Sequence, residues 1–312
     1  MSALICGSFA YDTIMVFHDQ FKNHILPDKV HILNVAFLVP ELRREFGGCA
    51  GNIAYNLKLL GEDPLPMGTV GDDFRPYAEW MDSHGIDRKY LRVVDNSYTA
   101  QAFITTDQDD NQITAFHPGA MNESHLNKTG DASGITIGII SPDGRQGMFD
   151  HAEQFTAEKT PFIFDPGQGL PMFDGDELTA FIEKATWVSV NDYELQLMQD
   201  RTGLSPHEIA ERVDALIVTL GGEGSHIYTQ ERRIEIPVAP VSVLSDPTGC
   251  GDAYRAGLLY GLMNQLDWEA TGRIAALMGA IKIEQHGTQN HRFTMDEFRA
   301  RYRDSFSMEM PA

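Results

Sequence analysis

Cysteine is scarce in this sequence, and positive charge is in deficit. Three cysteines stand at 6, 49 and 250 in 312 residues, too few and too scattered for a disulfide framework or a metal-ligand pattern, which fits a reducing cytoplasm. Lys and Arg number 24 against 45 Asp and Glu, a formal net charge of -21. That balance argues against nucleic acid as a partner, since its recognition needs a clustered positive footprint; the acidic surface keeps the chain in solution. Apolar runs long enough to cross a bilayer are missing, so no membrane partner is expected. The opening Met1-Ser2-Ala3-Leu4-Ile5-Cys6 reads straight into a strand, without the basic start of a signal peptide. Neither the G-x-G-x-x-G spacing of a dinucleotide fold nor the Gly-Lys-Ser/Thr ending of a Walker A loop is present, which weakens a dehydrogenase reading. Repeats, low-complexity tracts and long linkers are also lacking.

What is present is ordinary globular material. Hydrophobic residues make up 42% of the chain, with core enough for one large α/β domain or two smaller ones. Apolar runs of strand length at 3–10, 135–141, 161–165, 186–191 and 215–220 alternate with helical patterns. Such alternation predicts a mainly parallel sheet with right-handed crossovers.

The most informative stretch is Ser245-Asp246-Pro247-Thr248-Gly249-Cys250-Gly251-Asp252-Ala253. Gly249 and Gly251 lack Cβ and leave consecutive N–H groups free to point at one spot where a helix begins, an arrangement that attracts anions. Asp252 then sits in the first helical turn, beside donors able to cradle a transferring phosphoryl group. A carboxylate so placed can take the proton of an attacking hydroxyl. The plainer reading is a Gly-rich turn whose Asp caps a helix.

The longer pattern resembles the D-T-x-G-A-G-D signature of the ribokinase family, also called the PfkB carbohydrate kinases, with Asp246, Gly249, Gly251 and Asp252 in register. Pro247 stands for the usual Thr and Cys250 for the usual Ala. The resemblance implies a ribokinase-like three-layer αβα domain spanning 1–312 with a small β-sheet lid. It also implies that Asp252 is the catalytic base and that the amides of Gly249, Cys250 and Gly251 form the anion hole. ATP and Mg²⁺ are the implied cofactors, with a monovalent cation such as K⁺ left open.

Upstream, Asp12 follows the first apolar run, at the sheet edge where open α/β folds bind ligands; the family gives this Asp two neighbouring sugar hydroxyls. Small residues in Phe46-Gly47-Gly48-Cys49-Ala50-Gly51-Asn52 open a helix and let a ligand approach the backbone, though any α/β protein can start a helix so. By resemblance Gly47, Gly48 and Asn52 hold the acceptor. Strand-rich pieces at about 13–45, including Val30-His31-Ile32-Leu33-Asn34-Val35, and about 92–117 resemble the family's lid, which excludes water during transfer. The alternative is that they extend the main sheet. Lids of this family pair between subunits in some members, so monomer and homodimer both stay open.

On the nucleotide side, Asn191-Asp192-Tyr193-Glu194 resembles the family's N-x-x-E motif, with Asn191 near the phosphates and Glu194 organising Mg²⁺ through water. A helix capping box explains the same tetrapeptide. Thr219, Gly221 and Gly224 match the family's ATP loop, and the helical pattern at 273–285 followed by His286 and Gln289 resembles its adenine pocket. Asp165-Pro166-Gly167-Gln168-Gly169 lies where sugar-acid kinases of the family carry an Asn and an Arg; Gly at both positions argues against an anionic acceptor, and Gln168 is placed with the substrate.

Phe9, Tyr11, Phe17, Phe37, Phe103, Phe116, His117 and Met121 supply rings and a soft side chain suited to stacking on a base, with Phe116 and Met121 placed at the substrate. A phosphosugar calls for Arg or Lys, and the core motifs offer none. The expectation is a nucleoside kinase of the adenosine-kinase-like branch acting on a ribose 5′-hydroxyl. Alternatives are a kinase of a neutral free sugar such as ribose or fructose, and a non-catalytic binding protein of the same fold.

Overall fold

The computed structural model describes residues 2–25, 34–109 and 111–311. Strand β1 (Ser2–Cys6) leads at once into β2 (Ala10–Val16), and β3 (Glu41–Gly47) runs directly into helix α1 (Cys49–Leu59). Then come β4 (Leu65–Val70), α2 (Arg75–Ser83), β5 (Tyr90–Val93), β6 (Ala100–Thr106) and β7 (Gln112–His117). The middle of the chain alternates: β8 (Ile135–Ile140), α3 (Arg145–Glu158), β9 (Phe162–Phe164), α4 (Gly175–Lys184), β10 (Trp187–Asn191), α5 (Asp192–Thr202), α6 (Pro206–Ala210) and β11 (Ala215–Thr219). A hairpin of β12 (Ser225–Tyr228) and β13 (Arg233–Ile236) precedes α7 (Cys250–Met263), α8 (Trp268–Ile283) and α9 (Met295–Phe306).

Among the described residues the main sheet has nine strands in the order β13-β12-β11-β10-β9-β8-β1-β4-β5. All neighbours are parallel except the β11/β12 and β12/β13 pairs. Strands β1 and β8 to β11 read as nearly unbroken apolar runs because both faces are covered. Ile217 packs on one face with Leu258 of α7 and Leu277 of α8, whereas Leu216 and Val218 pack on the other with Phe181 and Ile182 of α4. That is the three-layer α/β architecture expected. Its parallel strands deliver Gly7, Asp165, Asn191 and Thr219 to one edge, where α7 starts. No helix of the described residues is long and apolar enough to cross a membrane.

A second, four-stranded sheet runs β3-β2-β6-β7. In it Asp12 is opposite Glu45 and Ala102, and Ala102 is opposite Phe116. The segment read at 92–117 divides, however: Arg92 and Val93 belong to β5, the edge of the main sheet. Tyr90 and Leu91 explain this, each half-buried against one of the two core faces. In the run at 30–35, residues 30–33 lie outside the described residues, and Asn34 and Val35 carry no strand.

Candidate active site

Gly249 caps α7 with φ 79°, a left-handed conformation that favours glycine. A Cβ there would stand 3.0 Å from the Thr288 side chain. The turn it permits brings amides to the positive end of a 14-residue helix. Cys250 N–H donates to the Pro247 carbonyl at 3.2 Å, so it is engaged by the turn itself. Among the described residues the amides of Gly249, Gly251 and Asp252 have no hydrogen-bond partner. The donors free to meet an anion at this helix start are thus these three, whereas the Cys250 N–H, expected among them, is already engaged.

Asp252 lies on the first turn of α7, and its carboxylate accepts a hydrogen bond from Asn52 Nδ2 at 2.8 Å. Asn52 reaches it from the first turn of α1, whose cap, Gly48, has φ 87°. A Cβ on Gly48 would meet Ser8 O at 2.5 Å and Ala10 N at 2.6 Å; only glycine lets α1 start this close to the β1–β2 junction. Burial pushes the Asp252 carboxyl up to about 6, opposed by the Asn52 hydrogen bond. Above that pH the group is an ionised carboxylate inside a protein wall.

Asn52 is itself held. Gln289 Nε2 donates to Asn52 Oδ1 at 3.0 Å and lies 2.6 Å from Tyr77 Oη, while Trp80 Nε1 donates to Gln289 Oε1 at 3.0 Å. This corrects the placement of Gln289 beside adenine, and His286, exposed beyond the end of α8, does not line the nucleotide-sized cavity either. The cause is Gly287, at φ 76°, whose N–H donates to Asp246 Oδ2. The chain there folds back under the signature loop, and Thr288 Oγ1 donates to Phe46 O, so 286–289 braces the acceptor motif.

Asp252 opens on a cavity of about 770 Å³, large enough for a nucleotide-sized ligand. Of the expected residues, Gly249, Cys250, Gly251, Gln168, Asn191, Glu194, Thr219, Gly221 and Gly224 line it. Asn191 and Glu194 also form the capping box of α5: Asn191 Oδ1 accepts from Glu194 N at 2.7 Å, and Glu194 Oε2 accepts from Asn191 N at 2.8 Å. The other carboxylate oxygen has no hydrogen-bond partner among the described residues. The apolar wall comes from Ala276, Gly279 and Ile283 of α8 with Val238, Val241 and Leu244. Leu244 is 73% exposed, an apolar surface that a bound ring would cover.

Arg255 is the residue sequence reasoning missed. It stands one turn after Asp252 and lines the same cavity, so the core motif does contain a cation. Its guanidinium donates to Asp165 Oδ1 at 2.9 Å and lies 4.0 Å from Glu194. That charge is matched by carboxylates already, leaving little to recruit an anionic acceptor. Cys49, also on the cavity wall, was not singled out; burial raises its thiol well above the ordinary range.

On the second sheet Asp12, Ala102 and Phe116 share one register row, hence one face. Two strand spacings, roughly 10 Å, separate the carboxylate row from the ring, with the small Ala102 between. Burial and the neighbouring Glu45 raise Asp12 to about 6, and Gly47 leaves it room: a Cβ there would stand 2.6 Å from Asp12 Oδ2. The other aromatics sort differently. Phe9 and Tyr11 are core, and Phe17 packs with Phe37 at 4.8 Å in a separate cluster. Phe103 and His117 occupy the alternate rows. Met121 is half-buried in a turn pinned by the Thr69 Oγ1 to Ala120 O hydrogen bond.

Comparison with known proteins gives a consistent result. A family model described as pfkB family carbohydrate kinase matches residues 11–294. A nucleoside kinase of Methanocaldococcus jannaschii is 33% identical, over 85% of this chain and 87% of its own. The structure of Burkholderia thailandensis nucleoside kinase in complex with inosine superposes with a TM-score of 0.91 at 52% identity, covering 99% of this chain and 100% of that one. The same enzyme in complex with ADP-inosine gives 0.88 at 53% identity, covering 99% and 98%.

Proposed function

The chain belongs to the pfkB family of carbohydrate kinases, and we propose that it transfers the γ-phosphoryl group of ATP to the 5′-hydroxyl of a ribonucleoside. The observation that carries this is the Asn52–Asp252 hydrogen bond, which joins the acceptor motif to the anion-hole motif at the mouth of the cavity. The likeness to nucleoside kinases, one in complex with inosine, supports the choice of acceptor, as does the spacing of Asp12 and Phe116 on one face of the second sheet.

In this reading Asp12 binds ribose hydroxyls, Gly48 and Asn52 flank the acceptor, and Phe116 stacks on the base. Asp252 accepts the proton of the 5′-hydroxyl as its oxygen bonds to the γ-phosphorus and the bond to the β,γ-bridging oxygen breaks. The free amides of Gly249, Gly251 and Asp252 hold the equatorial oxygens as their charge develops. ADP leaves with the bridging oxygen. Among the described residues no three His, Cys, Asp or Glu side chains gather into a metal cage. Glu194, with one carboxylate oxygen free on the cavity wall, would help to hold Mg²⁺ through water, and the ion would supply neutralisation of phosphate charge. The second sheet serves as the lid that closes over the acceptor.

The test is ATP consumption with Mg²⁺ across a panel of nucleosides and free sugars. Nucleosides are expected to be turned over and free sugars to be poor acceptors. Asp252→Asn is expected to lower kcat by about 10²–10⁴-fold while both substrates still bind by calorimetry. Turnover confined to sugars overturns the acceptor assignment, and wild-type turnover in Asp252→Asn removes Asp252 as the base.

A further inference from the structure

Lysine is almost never fully buried unless paired, yet Lys282 of α8 is 0% exposed. Its ammonium donates to two main-chain carbonyls, Asp246 O at 2.7 Å and Gln285 O at 3.1 Å, and lies 4.0 Å from Asp246 Oδ2. Asp246 is the first residue of the signature loop. Its carboxylate is also fixed by Thr248 N–H and Gly287 N–H, each at 2.9 Å. The Cys250 thiol approaches the same Asp246 carbonyl at 3.9 Å. The ammonium thus sits directly under the loop that presents the anion-hole amides, in a nest of carbonyl oxygens and one carboxylate.

That donor set is what a hard monovalent cation requires, and an ammonium is a compact point charge with three donors that can satisfy it. An alkali ion cannot share the nest, because two cations at hydrogen-bonding distance repel strongly in a site this dry. The residues present do not fit an exchangeable K⁺ at this place.

We infer that the Lys282 ammonium is the built-in counterpart of a bound monovalent cation, bracing the signature loop and placing a fixed positive charge beneath the anion hole, so that the reaction needs no K⁺. The inference rests on the kinase reading for its catalytic half and on the geometry alone for its structural half. Lys282 is a positioning residue: it touches the loop, and the loop touches the phosphoryl group.

The experiment compares wild type and Lys282→Ala in KCl, NH₄Cl, methylammonium chloride and choline chloride at equal ionic strength, by steady-state kinetics and by thermal unfolding. Wild type is expected to vary less than about twofold in kcat across the series, whereas Lys282→Ala loses about 10²-fold in choline. In the variant, K⁺, NH₄⁺ or methylammonium restores about tenfold and raises Tm, as a ligand of the native state does; choline does neither. Severalfold activation of wild type by K⁺ overturns the inference, and this arm needs no variant to fold. So does a folded Lys282→Ala whose kcat and Tm ignore every cation. If wild type turns over no acceptor at all, the kinase reading fails, while the Tm series still decides whether the lysine fills a cation site.

Discussion

Asp252 and Asn52 are joined by a hydrogen bond, and the pH dependence of the proposed reaction follows from that contact. Burial lifts the Asp252 carboxyl to about 6 and the Asn52 N–H pulls the other way, since a donor aimed at a carboxylate favours its charged form. Activity that needs the ionised base is therefore present above about pH 6 and is lost as pH falls through it. Removing the donor removes a lowering influence, so Asn52→Leu is expected to move the acid limb of kcat/KM upward by about one pH unit, some 1.4 kcal/mol, with a drop in kcat. An unmoved limb would mean that Asn52 only packs. Individual residues were legible in proportion to how local their task is. Gly249 and Gly251 shape the backbone of their own turn, and the turn, with Asp252 beside it, is written in consecutive letters. Arg255 and Gln289 act through partners 90 and 237 positions away, and no spacing along the chain announces such pairs. Arg255 was passed over because its meaning depends on Asp165 lying opposite.

At the scale of elements, the entry of α1 is tightly constrained. Gly48 combines φ 87° with backbone atoms at 2.5 and 2.6 Å from a hypothetical Cβ, and backbone cannot step aside as a flexible side chain can. Gly48→Ala is expected to destabilise the protein by more than about 2 kcal/mol, visible as a lowered Tm. Because α1 carries Asn52, proposed to flank the acceptor, the acceptor KM is expected to rise more than the ATP KM; equal changes would argue that the strain stays local. Strands β1 and β8 to β11 were readable because strands buried on both faces are continuous apolar runs with little else to become, whereas the edge hairpin of β12 and β13, in which burial alternates, was not. Arg92 and Val93 fall in the main sheet and not the second one for a physical reason: a four-residue strand looks the same in either, and the choice is made by Tyr90 and Leu91 finding the core.

The whole molecule carries a net charge of -21 and, in the proposed reaction, must admit a polyanion. Fixed donors hold the nucleotide once it arrives, but the long-range field opposes its approach. Raising NaCl from about 0.01 M to about 0.15 M shortens the Debye length from roughly 30 Å to roughly 8 Å, so the KM for ATP at constant free Mg²⁺ is expected to fall. Choline chloride should act equally, which separates screening from any specific ion effect; a KM that rises with salt would point to a basic approach path. The same scale explains why a mainly parallel sheet was legible from alternation, while the lid and the union of the two motifs into one site were legible only through the family resemblance. That union has a further consequence. The Asn52–Asp252 hydrogen bond spans 200 residues, and Thr288 ties to Phe46 across 242. In a chain still being synthesised β1 and α1 exist before α7 does, and through all of that time Asn52 has no Asp252 to face. Chemical competence therefore arrives in a single late event, when the C-terminal quarter docks, and a nascent or truncated chain has no partially working form.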